Sequence, residues 1–181
     1  VVLYAGAHGI SNDLTILLQA ANLLKNNPQI KFVFVGSGKE KKNLIKEAKN
    51  HNLENVIFEE PVEKSRMADV LASSDCCVAI LKAIEMYKTT YPNKVFDYMA
   101  AGKPVICAID GVIREVVEDA NAGVFCPPGN PQEMADRISE LAADRKHSAI
   151  LGQNGQHHIG RHFDRKTFSE QFCNLINAMV D

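Results

Sequence analysis

The chain has 181 residues, of which 46% are hydrophobic, and is therefore long enough to bury the core of one globular domain. Its formal net charge of −2 provides no field that would attract nucleic acid or an anionic membrane surface, so a nucleic-acid partner is not expected. No apolar run of about 18 residues occurs, so neither a transmembrane helix nor a signal peptide is expected.

Short apolar runs that end at glycine or polar residues predict buried strands, and longer segments with apolar residues three and four positions apart predict helices. The predicted strands cover residues 1–6, 31–35, 55–60, 75–81, 104–109 and 123–126. The predicted helices cover residues 14–27, 40–51, 63–73, 94–101, 112–119, 131–145, 147–162 and 165–180. Asp13 and Asp164 are the predicted N-caps of the first and last of these helices.

Apolar strands that alternate with helices are typical of a parallel sheet covered on both faces. This order predicts an α/β fold with a Rossmann-like, doubly wound parallel sheet as one domain over residues 1–181, with extra C-terminal helices. In such sheets, ligands bind at the carboxyl ends of the strands. The chain begins at Val1 inside a strand-like run, so we expect it to be part of a longer protein with a further domain upstream.

The cysteines and histidines do not predict a metal site. Cys76, Cys77, Cys107, Cys126 and Cys173 are odd in number and show no CxxC spacing. Because the first four lie in strand-like runs, we expect buried free thiols in a reducing cytoplasm. The six histidines do not combine with cysteines or carboxylates at ligand spacing, so no metal ligand is predicted.

Two glycine-containing loops follow the first two predicted strands. Their candidate ligand-binding residues are Gly6, His8, Gly9, Gly36, Gly38 and Lys39. Glycine there either lets a phosphate approach the backbone or permits a tight turn, and both interpretations stay open. Neither loop matches G-x-G-x-x-G or G-x-x-x-x-G-K-[ST], which disfavours a dinucleotide-binding oxidoreductase and a P-loop enzyme. Next, Lys41, Lys42, Lys46 and Lys49 predict a solvated helix face.

The stretch from Tyr91 to Ile106, YPNKVFDYMAAGKPVI, has the strongest functional pattern in the chain. Lys94 and Asp97 lie three residues apart near the start of a short helix, so both are expected on one helix face. A helix N-terminus carries partial positive charge and free N–H groups, which favour a phosphate. A carboxylate can accept two hydroxyl hydrogen bonds, as a ribose requires. The stretch therefore predicts a nucleotide site.

The run PNKVFDYMAAGKPVI resembles the donor-binding segment of the retaining GT-B glycosyltransferases of family 4, which carry E-x7-E and a pattern like EAMA-x-G-x-PVI. The runs VGSGKEKKNLIKEA, NVIFEEPVEKSRMADVLASSDCCVAIL and GVIREVVEDANAGVFCPPGNPQEMADRI resemble the C-terminal half of that family, so the resemblance covers nearly the whole chain. It implies the C-terminal half of a GT-B fold. It also implies retaining transfer of a sugar from a nucleoside diphosphate to a glycan or lipid-linked acceptor, as in bacterial surface-polysaccharide synthesis.

The resemblance assigns roles to individual residues. The second motif glutamate falls on Asp97, which implies contacts with the ribose, and the first falls on Thr89, with Glu85 one turn away as a substitute carboxylate. The family's basic diphosphate ligands fall on non-basic positions, so Lys94 is the candidate replacement. The expected nucleotide-sugar contacts are Gly6, His8, Gly9, Gly36, Gly38, Lys39, Pro61, Val62, Thr90, Lys94, Val95 and Asp97.

No D-x-D pattern occurs, so a metal-independent transferase without a cofactor is expected. The acceptor is expected on an N-terminal domain of the full-length protein, so this chain alone is expected to bind nucleotide weakly and transfer nothing. The expected location is the cytoplasm, with the inner face of the membrane as an alternative for the full-length enzyme. Two other interpretations stay open: a GT-B-shaped UDP-sugar epimerase and a non-catalytic nucleotide-sugar binding module.

Overall fold

The computed structural model describes residues 1–163 and 165–180, with the backbone alone for residues 165–167 and 180. Six strands form a parallel sheet: β1 (Val2–Ala5), β2 (Phe32–Val35), β3 (Val56–Glu59), β4 (Cys76–Ile80), β5 (Val105–Ala108) and β6 (Gly123–Phe125). Their order across the sheet is β3-β2-β1-β4-β5-β6. The predicted Rossmann-like, doubly wound α/β fold is therefore confirmed.

Helices cover both faces of this sheet. The α-helices of the described residues are α1 (Leu14–Leu23), α2 (Lys41–Asn50), α3 (Met67–Ala72), α4 (Asn93–Ala100), α5 (Val112–Asp119), α6 (Pro131–Ala143), α7 (Arg145–His162) and α8 (Arg165–Val180). Short 3-10 helices lie at Ile10–Asn12, Lys64–Arg66 and Glu85–Thr89. In β1, Val2 and Tyr4 pack in the core layer with α1 and α6, whereas Leu3 and Ala5 pack in the layer with α4 and α5. This alternation is the period of two that a strand imposes.

Three segments differ from the sequence-based prediction. The first helix ends at Leu23 rather than at residue 27, because Leu24, at φ −99° and ψ 7°, has left the α conformation and Lys25 N bonds Asn22 O in a tighter turn. The predicted helix 63–73 is divided into a 3-10 helix and α3; Arg66, the last residue of the 3-10 helix, has φ −97° and ψ −3°. Residues 85–89, predicted as a loop, form a 3-10 helix.

The predicted role of Asp13 as an N-cap is correct in position but wrong in chemistry. Asp13 precedes α1 but adopts the left-handed conformation, and its side chain makes no capping hydrogen bond. Side-chain caps are instead supplied by Asn130, which accepts from Glu133 N, and by Asp144, which accepts from His147 N. The predicted cap Asp164 lies outside the described residues.

The cysteine prediction is confirmed for burial. Cys76, Cys77, Cys107 and Cys126 are buried free thiols, and Cys173 is exposed. Burial raises the pKa of Cys77 to about 11 and that of Cys76, Cys107 and Cys126 to about 12. These thiols therefore stay protonated near neutral pH and are poor nucleophiles.

The strand order places a topological switch point between β1 and β4, because the chain proceeds from β1 to β2 on one side and later returns to β4 on the other. The loops that leave the carboxyl ends of these two strands meet there. Lys82 N, after β4, donates a 3.0 Å hydrogen bond to Ser11 O, after β1. The fold thus assembles a candidate site at the edge where doubly wound sheets bind ligands.

Candidate functional site

The loops after β1 and β2 interlock. His8 N donates to Ser37 O at 2.8 Å, and Glu40 N donates to His8 O at 3.0 Å. A side chain at Gly36 would overlap the carbonyl of Gly6, and one at Gly38 would overlap the backbone of His8. Close packing of one loop on the other, which neither earlier interpretation included, accounts for glycine at both positions. A contact of these glycines with a phosphate stays a prediction.

Lys94 lies over the first of these loops. Its ammonium Nζ donates a 2.9 Å hydrogen bond to the Tyr4 hydroxyl and is 4.1 Å from the centre of the Tyr4 ring. A Cβ atom added to Gly6 would be only 2.8 Å from this nitrogen, so glycine leaves room for the ammonium. The Lys94 side chain is half-buried, and desolvation lowers its pKa to about 8. The structure therefore brings Lys94 and Gly6 together. The sequence indicated both residues as candidates but did not show that they are in contact.

His8 is fully buried rather than exposed to a cleft, with a relative exposure of 0%. Its ring lies among Tyr4, Phe34 and Phe58 at centroid distances of 5.9, 6.3 and 6.3 Å. Neither ring nitrogen has a hydrogen-bond partner within the described part of the chain. Desolvation, with the positive charges of Lys41 and Lys94, lowers the pKa of His8 to about 4, so the ring is neutral.

Helix α4 places its predicted residues at different depths. Val95 is fully buried against the sheet, whereas the Asp97 side chain is exposed and forms no hydrogen bond or ion pair with any residue that the structure describes. Tyr98 anchors the helix to β1, because its hydroxyl donates to Ala5 O at 3.0 Å and accepts from Ala5 N at 3.2 Å. The Asp97 carboxylate is thus held on a fixed helix with both oxygens available.

The candidate catalytic residues lie on the 3-10 helix after β4. Glu85 is exposed and paired with Lys88 at 2.8 Å, and Thr89 Oγ1 donates to Met86 O at 3.3 Å. Thr90 is half-buried and bonds the same carbonyl at 3.4 Å. Among the described residues, none of these three side chains bonds Lys94 or Asp97. Their assigned catalytic and substrate-binding roles stay predictions.

The remaining predicted contacts lie around the same edge of the sheet. Gly9 is half-buried, Lys39 and Pro61 are exposed, and Val62 packs against the core layer that contains α4. None of these four contributes a side-chain hydrogen bond to the group formed by Gly6, His8, Gly36, Gly38 and Lys94, as far as the described residues show. The structure therefore brings together five of the predicted site residues and leaves the others around them.

Of the four lysines predicted to form a solvated helix face, Lys42, Lys46 and Lys49 are exposed as predicted, but Lys41 is not. It is buried, and its ammonium donates to Gly36 O at 2.9 Å, Glu59 O at 2.8 Å and Glu60 Oε1 at 2.8 Å. It thereby ties together the carboxyl ends of β2 and β3. The sequence did not indicate this residue, because the alternation of charges along α2 is typical of a solvated helix face. The signal that could have indicated a buried role is the position of Lys41 in the first turn of α2, next to a glycine-rich loop.

Cavities lie at both edges of the sheet. One of about 320 Å³ is at the amino ends of β1, β4 and β5 and is lined in part by Ser74, Lys103 and Arg145. Cavities of about 290 Å³ and 250 Å³ lie at the carboxyl edge, where both contact Lys82. We place the candidate site at the carboxyl edge, because the glycine loops, Lys94 and Asp97 converge there.

The described residues hold neither a candidate metal centre nor a candidate membrane span. No group of three or more His, Cys, Asp or Glu side chains in this part of the chain is arranged to hold a metal ion. Within the same residues, no helix combines the length and the hydropathy that are needed to cross a membrane.

Comparison with known structures supports the fold. HepE of Anabaena, solved in complex with UDP, superimposes with a TM-score of 0.85 at 24% identity, over 98% of this chain and 48% of that one. The sucrose-phosphate synthase of Thermosynechococcus elongatus gives a TM-score of 0.86 at 22% identity, over 99% of this chain and 45% of that one. At these identities, the similarity concerns the fold, which is the predicted half of a GT-B structure.

Comparison of sequences identifies the family. An alpha-1,3/1,6-mannosyltransferase of Dictyostelium discoideum is 27% identical over 133 residues, which cover 73% of this chain and 30% of the relative. The N-acetyl-alpha-D-glucosaminyl L-malate synthase of Bacillus anthracis is 23% identical over 181 residues, which cover 91% and 46%. The chain thus spans less than half the length of these relatives. The family model of the glycosyl transferases group 1 matches residues 1–158, so the chain belongs to that family, as the resemblance predicted.

Proposed function

We propose that this chain is the nucleotide-sugar-binding domain of a metal-independent, retaining glycosyltransferase that acts on a nucleoside diphosphate sugar. The proposal rests on one observation: the ammonium of Lys94 is half-buried in the first turn of α4, at the β1/β4 switch point. A cation is unfavourable both near a helix N-terminus and away from water. An anion bound there would offset both costs, and a diphosphate is the anion of a nucleotide sugar.

The arrangement suits departure of a nucleoside diphosphate. When the bond between the anomeric carbon and the β-phosphate oxygen breaks, negative charge develops on that oxygen. The Lys94 ammonium and the N–H groups at the start of α4 would stabilise this charge, as metal ions do in other transferases. Three helix positions later, the exposed Asp97 carboxylate would accept the hydrogen bonds of the ribose hydroxyls.

Three parts of the proposal rest on the family rather than on contacts in this chain. Retention at the anomeric carbon follows the group that the sequence resembles. UDP is the first nucleotide to test, because the similar structure of HepE contains it. The acceptor, a glycan or a lipid-linked sugar, would bind to an N-terminal domain, since the relatives are more than twice as long as the matched region.

The proposal predicts that UDP stabilises this chain against heat. At a UDP concentration about 100 times Kd, binding adds about 2.7 kcal/mol, which raises Tm by about 5–10 °C for a domain of this size. Lys94→Met should abolish most of the rise. Lys103→Met is the matched control, because this half-buried lysine donates to Ala72 O and Ser74 O at the opposite edge of the sheet. An equal rise in all three proteins would contradict the assigned diphosphate site.

The ribose contact is tested in the same assay with 2′-deoxy-UDP. Loss of a hydrogen bond to a charged carboxylate should weaken binding to the wild type about tenfold or more. Asp97→Ala should bind UDP and 2′-deoxy-UDP about equally, whereas Asp69→Ala, which alters an exposed aspartate of α3, should keep the wild-type preference. If Asp97→Ala still discriminates between the two nucleotides, Asp97 does not contact the ribose.

One observation favours a second candidate, a non-catalytic nucleotide-sugar binding module. The first motif glutamate of the resembled family is replaced by Thr89, whose hydroxyl is bonded to Met86 O within its own turn. Such a module would bind UDP as described above, but the full-length protein would release no UDP from a panel of UDP-sugars with acceptor. Formation of an isomerised UDP-sugar in that assay would instead indicate an epimerase.

A further inference from the structure

Tyr4 is a residue of β1 that reaches the candidate site from the core of the protein. Its side chain is fully buried, at 0% exposure, and its ring packs near Phe34 and His8 at centroid distances of 6.4 and 5.9 Å. Phenylalanine would fill the same apolar volume. The feature that needs an explanation is therefore the hydroxyl group, since a buried hydroxyl requires hydrogen-bond partners.

The hydroxyl joins the two parts of the candidate diphosphate site. It accepts a 2.9 Å hydrogen bond from Lys94 Nζ on α4, and it donates a 2.7 Å hydrogen bond to Ala7 O in the loop after β1. Burial raises the pKa of the Tyr4 phenol, so the proton that is donated to Ala7 O is retained. One side chain thus fixes both the cation and the loop beneath it.

This contact restricts Lys94 while leaving it able to bind. A free lysine side chain loses rotamer entropy when it is ordered, and this loss opposes binding. An ammonium has three N–H donors, and Tyr4 is its only hydrogen-bond partner among the described residues. Two donors therefore remain for a ligand, in a position that is set before the ligand arrives.

We propose that Tyr4 is a positioning residue for the nucleotide diphosphate, because its hydroxyl holds the Lys94 ammonium over Gly6 and fixes the adjoining loop through Ala7 O. This inference rests on the proposed function and deepens it. It assigns a role in ligand affinity to a residue that cannot touch the ligand directly, being enclosed in the core.

Tyr98 provides a matched control. Its hydroxyl is also buried and also bonds the carboxyl end of β1, through Ala5 O at 3.0 Å and Ala5 N at 3.2 Å. Within the described residues it forms no hydrogen bond to Lys94. Loss of the Tyr98 hydroxyl should therefore affect stability, whereas loss of the Tyr4 hydroxyl should affect both stability and affinity for the diphosphate.

The test measures binding of UDP and of uridine to Tyr4→Phe and Tyr98→Phe by calorimetry. Tyr4→Phe should weaken UDP binding about tenfold, the usual effect of losing one hydrogen bond to a charged group, and leave uridine binding unchanged. Tyr98→Phe should change the affinity for UDP by less than about twofold. Nuclear magnetic resonance of lysine-labelled protein should show that the pKa of Lys94 falls in Tyr4→Phe only, because the ammonium loses its acceptor.

A thermodynamic cycle separates positioning from a general structural effect. In the Lys94→Met variant, the ammonium that the Tyr4 hydroxyl positions is absent. Adding Tyr4→Phe to this variant should therefore not weaken UDP binding further. Additive losses in the cycle, or equal losses of UDP affinity in Tyr4→Phe and Tyr98→Phe, would overturn the inference and leave the role of Lys94 intact. If Lys94→Met binds UDP as tightly as the wild type, the proposed diphosphate site is wrong, and the inference falls with it.

Discussion

Lys94 shows at the scale of one residue how sequence position and environment combine. It lies near the N-terminus of α4, where the helix dipole disfavours a cation, and desolvation lowers its pKa to about 8. Only the Tyr4 hydroxyl and ring compensate for this environment within the described residues. A residue that is held at a cost in this way is typical of a site that stabilises a charged ligand.

His8 is the opposite case, a polar side chain that the fold keeps neutral. Its two nitrogens have no partners among the described residues, and its neighbours are aromatic rings and the ammonium groups of Lys41 and Lys94. The Glu60 carboxylate opposes their effect on its pKa. A role for His8 in binding the nucleotide stays a prediction; its contribution to stability can be tested directly.

We predict that His8 makes the protein less stable in mild acid. The pKa of His8 is about 4 in the folded state and 6.5 in the reference state, so the unfolded chain binds the additional proton between these values. Stability is thus fully present above pH 6.5 and is lost as the pH falls from 6.5 to 4. Between pH 7.5 and pH 5, the free energy of unfolding in urea should fall by about 1–2 kcal/mol more for the wild type than for His8→Phe.

The control for this prediction is His51→Phe, which replaces an exposed histidine beyond the end of α2. It should leave the pH dependence of the free energy of unfolding as it is in the wild type. If His8→Phe and the wild type lose stability in parallel between the two pH values, His8 titrates normally and is not enclosed as described.

At the scale of elements, the site depends on contacts between loops rather than on one motif. The loop after β1 is bonded to the loop after β2 through His8, and to the loop after β4 through Ser11. Lys41 adds a third connection by binding the last carbonyl of β3 and that of Gly36. The carboxyl ends of these strands are therefore held in one arrangement that supports Lys94.

Replacement of Gly36 by alanine should disrupt this arrangement. Gly36 has φ of +143°, and a Cβ atom there would overlap the carbonyl of Gly6. We expect a loss of about 2–4 kcal/mol in the free energy of unfolding, from backbone strain and overpacking together. Gly129→Ala is the control, because Gly129 also has positive φ, +80°, but a Cβ atom would have no neighbour within 4 Å. It should cost only about 1 kcal/mol, from the left-handed backbone conformation alone. Similar losses in both variants would refute close packing of the loops.

At the scale of the whole molecule, strand order decides where chemistry can occur. The switch point lies between β1 and β4. The glycine loops and the segment that carries Lys94 and Asp97 come together there, although more than fifty residues of sequence separate them. A cavity of about 320 Å³ at the amino edge exceeds the two at the carboxyl edge, of about 290 Å³ and 250 Å³, so cavity volume would favour a different site. Charge and topology favour the carboxyl edge as the candidate site.

A protein-supplied positive charge predicts that binding does not require a divalent ion. If Lys94 and the start of α4 provide the charge that a metal would supply, as proposed, the Kd of UDP for this chain should change by less than about twofold when magnesium is replaced by EDTA. Transfer by the full-length protein should persist in EDTA as well. A large loss of affinity that added magnesium restores would refute this part of the proposed mechanism.

The amino-acid sequence by itself determined the fold class and the six strands, and it predicted a nucleotide site in the segment around Lys94 and Asp97. Alternation of apolar runs with helical patterns is a local property, and so is the clustering of a lysine and an aspartate at a helix start. The predicted bounds of α5 and β5 agree with the structure to within one or two residues for the same reason.

Only the tertiary structure decided how the site residues meet. The burial of Lys41 and His8, the contact of Lys94 with Tyr4, and the packing of Gly36 on Gly6 join segments that are distant in sequence, and no local pattern encodes such pairs. Tyr4 appeared as an ordinary member of an apolar strand, because the partners of its hydroxyl lie 3 and 90 residues away. Periodicity reports which face of an element is buried, whereas the pairing of polar atoms depends on how the elements are assembled.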